Sequence, residues 1–318
     1  MATVQRFDHF MENALYGPRG YYTGDRQIFG ARGDFTTSPK LSLAFGRALS
    51  HWILDAWKHH QKRLPVIEVG PGDGSLALNI RQSFPLWLTP FLSYHLVEKS
   101  PRLRERQQER LGRKARWHDS LSDALAYLGG EALILSNELI DAFPVRIFRK
   151  NEPGTWDELH LDGTREIWHP AAELPASCQF DHPWPAGQRL EIHESAHHFL
   201  RHELAPMTRG DLLTIDYGLH TPAELYHRRP RGNFRAFLHH HLLDPPAAYQ
   251  NPGRQDLTTD VCFADLENWL ADLGFRTLSL RTQEELLTPH LQNTLADIYL
   301  SHPAGPGTAF LALHSRKA

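Results

Sequence analysis

"VIEVGPGDGSL", residues 66–76, sets Gly70, Gly72 and Gly74 and the carboxylates Glu68 and Asp73 within or just after a short apolar run. Glycine has no Cβ, so a ligand can approach the backbone, and the first turn of a following helix offers N–H groups without intrahelical partners. Turns of this kind hold nucleotides, phosphates and adenosyl cofactors, and some are only tight strand–helix connections. The segments that follow decide between these readings.

Downstream, apolar strand patterns alternate with helical ones: "PVIEVG", a helix from Ser75, "YHLVEKS", a helix from Pro101, "ARWHDSL", a short helix near Ala124, and "ALILSNELI". Strands separated by helices imply an α/β fold with a parallel sheet and right-handed crossovers. Upstream, residues 4–15 read as a short helix. A second helix over 40–59 carries Leu43, Phe45, Leu49, Trp52, Ile53 and Trp57 on one side. Period-two alternation between turn signals over 145–180 reads as an inserted β-lobe. The α/β pattern resumes with a helix at 192–205 and the strand "DLLTIDYG". A polar, Pro- and His-rich loop is expected at 219–258, and strands near 275–281 and 308–314 close the sheet. The expected divisions are 1–60 for the N-terminal helices and lid loop, 61–144 for the first part of the Rossmann-like domain, 145–190 for the inserted lobe and 191–318 for the remainder.

Open parallel sheets bind ligands beyond the carboxyl ends of their strands. Glu98 ends the second strand, where a carboxylate accepts both hydroxyls of a ribose. Asp119 ends the third and is placed to accept from an adenine amino group. Asn137, in "SNELIDAFP" after the fourth, borders the reacting end. The ligand therefore carries adenosine. A dinucleotide site has the spacing G-x-G-x-x-G, whereas this chain has G-x-G-x-G, and no Walker lysine follows. Glu68 inside the strand suits the amino group of a methionine and has no use at a phosphate. S-adenosyl-L-methionine is the cofactor that fits.

Bulk properties narrow the class. Hydrophobic residues make up 41% and charged residues 22%, as in ordinary soluble domains. The net charge of −3 argues against general nucleic-acid binding. The basic run at 102–116 reads as the exposed face of a helix with Glu–Arg pairs. No apolar run is long enough to span a bilayer. The first twenty residues read as neither a signal nor a transit peptide, so a cytoplasmic protein of a bacterial cytosol is expected. Two cysteines, Cys178 and Cys262, stand far apart and offer no disulfide framework and no CxxC site. The histidine run 239–241 lacks ligand spacing and reads as surface, so no metal is expected.

"ALYGPRGYY", "GDFTTSP", "VIEVGPGDGSL", "HLVEKSPRLRERQ", "SNELIDAFPV", "LTIDYG" and "GRQDLTTDVCFADL" occur in this order. Together they resemble the MidA family of methyltransferases, whose mitochondrial member is a complex I assembly factor that methylates a protein arginine. The resemblance runs from about Phe10 to the C-terminus. It implies a class I methyltransferase fold: a mostly parallel seven-stranded sheet, an N-terminal helical and loop lid, and the inserted β-lobe. It further implies S-adenosyl-L-methionine as cofactor and symmetric dimethylation of an arginine on a partner protein, with a respiratory-complex subunit as one candidate. Gly70, Gly72, Gly74, Glu98 and Asp119 match the family's cofactor loop and acids, and Asp34, Thr37 and Ser38 match a loop that closes over the cofactor. The chain departs from the family at Leu139-Ile140, where aromatics are usual, and at Cys262, where an acid is usual.

An arginine substrate is protonated in water and has no free lone pair. Carboxylates aimed at its fork orient it and offset its charge as a proton leaves. Glu138 and Asp141 suit that task. The competing reading is a helix start capped by Asn137 or Glu138, with Asp141 in the first turn. Asp216 and Tyr217 end the fifth strand, either bordering the substrate or serving a buried strand-end network.

Overall fold

The computed structural model describes residues 4–24 and 43–318, apart from residues 230, 239, 240 and 293. The chain forms two compact units, one of residues 1–34, 140–198 and 217–268, the other of residues 35–139, 199–216 and 269–318. It passes from the second unit to the first between Leu139 and Ile140.

The second unit is built on the strands β1 (Val66–Val69), β2 (Tyr94–Val97), β3 (Arg116–His118), β4 (Glu131–Asn137), β5 (Arg209–Leu219), β6 (Arg276–Thr282) and β7 (Phe310–Lys317). They lie in the order β6-β7-β5-β4-β1-β2-β3. The pairs β5–β4, β4–β1, β1–β2 and β2–β3 are parallel, and β6 runs antiparallel to β7. Every residue of β1 and β2 is buried, as sheets covered on both faces require. Where seven strands are expected, the sheet has eight among the described residues. The extra one is Val261–Cys262, which pairs parallel with Gly218–Leu219, the part of β5 that belongs to the first unit.

The connections follow local chemistry. The helix α1 (Ala44–His60) turns Phe45, Leu49, Trp52, Ile53 and Trp57 inward; residues 40–42 of the expected helix lie outside the described residues. Gly74 precedes α2 (Ser75–Ser83). Pro101, whose missing N–H costs nothing in a first turn, opens α3 (Pro101–Leu111). The Ser120 hydroxyl accepts the N–H of Asp123 at 3.0 Å and caps α4 (Leu121–Tyr127). Chain order and sheet order reverse at β1 and β4, which sets their carboxyl ends at the switch point where such sheets bind ligands.

In the first unit the expected β-lobe is an antiparallel sheet of Arg146–Lys150, Trp156–Asp162, Arg165–Pro170 and Arg189–Ile192, joined by Gln5–Arg6 ahead of the helix Phe7–Tyr16. Phe148, Trp156, Trp184, Leu190 and Ile192 form a core in this unit. The stretch 219–258 is not the loop expected. It holds the helix Pro222–Arg228 and a three-stranded sheet of Arg235–Leu238, His241–Leu243 and Asp256–Thr258.

Candidate functional site

At the end of β1, Gly70, Gly72 and Gly74 all take positive φ, at 66°, 53° and 77°. The N–H of Gly70 donates to Val97 O at 3.1 Å, tying the loop to the end of β2. A Cβ on Gly70 would stand 2.8 Å from Leu139 Cδ1, the far end of a flexible side chain, so Leu139 lies over the loop from the turn after β4. Asp73 accepts from the N–H and hydroxyl of Ser75, starting α2.

Glu98, just after β2, is mostly buried. Its Oε1 accepts the N–H of Ser100 at 2.8 Å and its Oε2 the side-chain amide of Gln107 at 3.2 Å. Burial raises its carboxyl above the usual range despite these donors. Gln107 is fully buried, and the same amide donates to Gly72 O at 2.7 Å. Trp117 Nε1 donates to Gln107 Oε1 at 2.9 Å. A helix residue thus couples the glycine loop to Glu98. Sequence reading missed it, although Leu103, Gln107 and Leu111 are the buried stripe of α3 at i, i+4 spacing.

Asp119 follows β3 with its side chain 85% exposed, paired with Arg104 at 2.6 Å. Arg104 also donates to the carbonyls of Glu98 and His118, so one guanidinium fixes the ends of β2 and β3. Glu68 lies buried within β1 and accepts from the Tyr94 hydroxyl at 2.7 Å. Burial pushes its carboxyl up to about 8, a state that an approaching ammonium would reverse.

At the end of β4, Asn137 Nδ2 donates to Glu138 Oε1 at 3.1 Å, and the buried Asn137 Oδ1 has no hydrogen-bond partner among the described residues. Glu138 takes φ 53°, left-handed for a residue with a side chain. Its N–H donates to Ile215 O at 2.9 Å, and the N–H of Leu139 donates to the fully buried Asp216 Oδ2 at 3.1 Å. These contacts hold the strained turn, and Asp216 serves here as a strand-end anchor.

Asp141, in the first unit, lies in the 3-10 turn Ile140–Ala142 rather than in a helix's first turn. Its Oδ2 accepts from the Thr258 hydroxyl at 2.8 Å and its backbone oxygen from the N–H of Thr259 at 3.0 Å. Burial pushes its carboxyl up to about 6. Thr259 Oγ1 meets His193 Nε2 at 2.9 Å, continuing a buried network that sequence patterning does not signal. Asp34, Thr37, Ser38 and most of the expected lid lie outside the described residues. Of the histidine run only His241 is described, and it is exposed.

The second unit's residues fit an adenosyl-methionine ligand. A carboxylate has about four acceptor positions; donors from Ser100, Gln107 and Lys99 take three on Glu98, leaving one for a ribose hydroxyl. The unpartnered Asn137 Oδ1 can accept from an ammonium. The glycine loop leaves its backbone accessible at the switch point.

Fold and site together define a class I methyltransferase fold whose second unit has residues that fit S-adenosyl-L-methionine. Residues 48–280 match the family described as "Putative S-adenosyl-L-methionine-dependent methyltransferase", and the chain belongs to that family. Similar proteins include the Drosophila melanogaster "Protein arginine methyltransferase NDUFAF7 homolog, mitochondrial", 30% identical over 80% of this chain and 64% of the relative. The human protein arginine methyltransferase NDUFAF7, mitochondrial, is 29% identical over 81% of this chain and 63% of its own length. The chain therefore spans a little under two thirds of these relatives. A Burkholderia thailandensis protein, solved bound to S-adenosyl-homocysteine, superimposes with a TM-score of 0.85 at 28% identity, covering 98% of this chain and 87% of the other.

Proposed function

We propose that the protein transfers methyl groups from S-adenosyl-L-methionine to an arginine side chain of a partner protein, giving the symmetric dimethyl form. The observation that carries this reading is the turn after β4. Glu138 stands in a left-handed conformation costing about 1–2 kcal/mol, and its neighbour Leu139 packs against the glycine loop. Strain of this kind persists where surrounding contacts over-determine it, and it gathers at functional sites. The names of the relatives support arginine as the acceptor.

In this reading Glu68, Gly70, Gly72, Gly74, Glu98, Asp119 and Asn137 hold the cofactor, which when bound supplies an electrophilic methyl group. Glu138 accepts N–H bonds from the guanidinium, fixing the nitrogen for in-line attack and offsetting positive charge until a proton leaves. A respiratory-complex subunit is the proposed partner, in line with the family resemblance. For the compartment we propose a reducing cytosol, supported by two cysteines that are both free thiols; fractionation of the tagged protein tests this.

The functional test is single-turnover methylation. Lysate incubated with radiolabelled S-adenosyl-L-methionine, followed by mass spectrometry of the labelled band, identifies the substrate and residue. Glu138→Gln should then slow transfer about 100-fold or more, the scale of one preorganised electrostatic contact, while affinity for S-adenosylhomocysteine stays unchanged. A label on a residue other than arginine, or wild-type rates in Glu138→Gln, overturns the assignment.

A further inference from the structure

We propose that Cys178, Cys262 and Asp265 form a binding site for a thiophilic divalent cation of the zinc type. The fold brings together two thiols that the sequence sets far apart. Both Sγ atoms and a carboxylate oxygen of Asp265 lie within 4.8 Å of one another. In a tetrahedral site with Zn–S about 2.3 Å and Zn–O about 2.1 Å, neighbouring ligand atoms are about 3.5–3.8 Å apart. Side-chain shifts of about an ångström close the observed triangle onto an ion.

The surroundings suit ligands. Asp265 is buried, and three donors orient it: the N–H of Cys178 to Oδ1 at 2.7 Å, the Ser177 hydroxyl to Oδ2 at 2.7 Å and the Gln179 amide to Oδ2 at 3.1 Å. One of its roughly four acceptor positions remains for an ion, and hydrogen bonds of this kind fix metal-binding carboxylates. Cys262 lies in an apolar cluster with Leu219 and Leu225, against which Cys178 packs. Cys178 is half-buried, so a water can complete the coordination from its side.

Charge points the same way. Without an ion the cluster carries the single negative charge of Asp265. Binding follows M²⁺ + 2 –SH → M(–S)₂ + 2 H⁺; the two S–H bonds break, two M–S bonds form, and the cluster keeps one negative charge. The apolar surroundings therefore acquire no new net charge. An intramolecular disulfide would draw on the same sulfurs, but a carboxylate beside them disfavours the thiolate that must attack. A bound ion would clamp the turn Cys178–Asp181 to the head of the helix Phe263–Asp272.

The reduced, chelator-treated full chain is titrated with Co²⁺ and then Zn²⁺. One Co²⁺ per chain should give a thiolate-to-cobalt charge-transfer band that Zn²⁺ displaces. Calorimetry in buffers of different ionisation enthalpy should report two protons released per ion. Cys262→Ser should abolish the band and weaken Zn²⁺ about 10-fold or more. Cys178→Ser, at the more exposed thiol, should do the same in a chain whose far-ultraviolet spectrum and melting match wild type. No charge-transfer band with folded wild type overturns the proposal. So does equal zinc affinity in Cys178→Ser, or a Cys178–Cys262 disulfide that forms under diamide equally fast with and without saturating Zn²⁺.

Discussion

Gln107 holds Glu98 in place, its side-chain amide donating to Oε2 of the carboxylate at 3.2 Å from a fully buried position on α3. The same nitrogen reaches Gly72 O at 2.7 Å. The acid assigned to the ribose and the glycine loop assigned to the rest of the cofactor therefore share one donor. Any movement of α3 is felt by both.

Gln107→Leu keeps the apolar stripe of α3 and removes that donor. Losing hydrogen bonds to a charged group and a buried carbonyl should cost about 1–2 kcal/mol of cofactor affinity, roughly 5- to 30-fold in Kd. Calorimetry with S-adenosylhomocysteine measures this, with thermal melting as a control for folding. An unchanged Kd would detach Gln107 from the cofactor site.

Gly70→Ala probes the closest approach in the loop. An L-residue at φ 66° costs about 1–2 kcal/mol, and the new methyl meets Leu139 Cδ1 at 2.8 Å. The contact falls on the end of a flexible side chain, so backbone strain dominates. Chemical denaturation should show a loss of about 1–2 kcal/mol that adding Leu139→Ala does not restore. Wild-type stability in Gly70→Ala would contradict the left-handed conformation.

The glycine loop, Glu98 and the alternating order of strands and helices were legible because each rests on residues close in sequence. Gly70, Gly72 and Gly74 directly follow the apolar run of β1, and Glu98 directly follows that of β2. Features made by distant pairing were not legible. Residues 235–258 read as polar loop because their strands are three or four residues long and pair across the stretch, Arg235 with Thr258. Cys178 and Cys262 carry no motif, since only the tertiary fold makes them neighbours. Asp141 read as a carboxylate for the substrate, with the first turn of a helix as the competing reading; its contact with Thr258, more than a hundred residues away, carries no local signal.

Asp211 and Arg316 form a buried ion pair of the second unit, far along the chain from the glycine loop. Arg316 Nε and Nη2 donate to the fully buried carboxylate at 2.7 Å, and His60 and His314 approach its oxygens at 2.9 and 2.8 Å. Burial alone would raise the Asp211 carboxyl, but the hydrogen bonds from Arg316, His314 and His60 outweigh it and hold the carboxyl well below the usual range. Arg316→Met should cost about 3 kcal/mol at neutral pH by leaving the carboxylate poorly compensated. A depressed folded pKa contributes stability above the unfolded value near 3.9 and loses it as pH falls through the folded value. The gap between wild type and Arg316→Met in urea melts should therefore be full at pH 7 and shrink below about pH 4. A gap independent of pH would show that packing, and not charge, holds these residues together.

Asp141 behaves oppositely, and the difference gives a test of its role. Burial pushes its carboxyl up to about 6, while the Thr258 hydroxyl and the charge of Arg235 pull it down. Because the folded value lies above the unfolded one, the native state holds the proton more tightly. The contribution is therefore fully present below about pH 4, falls as pH rises toward 6, and is level above that. Thr258→Val removes the hydroxyl that favours the anion, so the folded value should rise further and stability should keep falling between about pH 6 and 7, where wild type has levelled. Asp141→Asn should abolish both slopes, and urea melts across this range read all three. If Asp141 also serves the arginine as an anion, the acid limb of the methylation rate should lie near 6 in wild type and move upward in Thr258→Val. Parallel stability curves for wild type and Thr258→Val would remove Thr258 as the group that tunes Asp141. A shifted stability curve with an unmoved rate profile would confine Asp141 to folding and leave Glu138 as the sole carboxylate for the substrate.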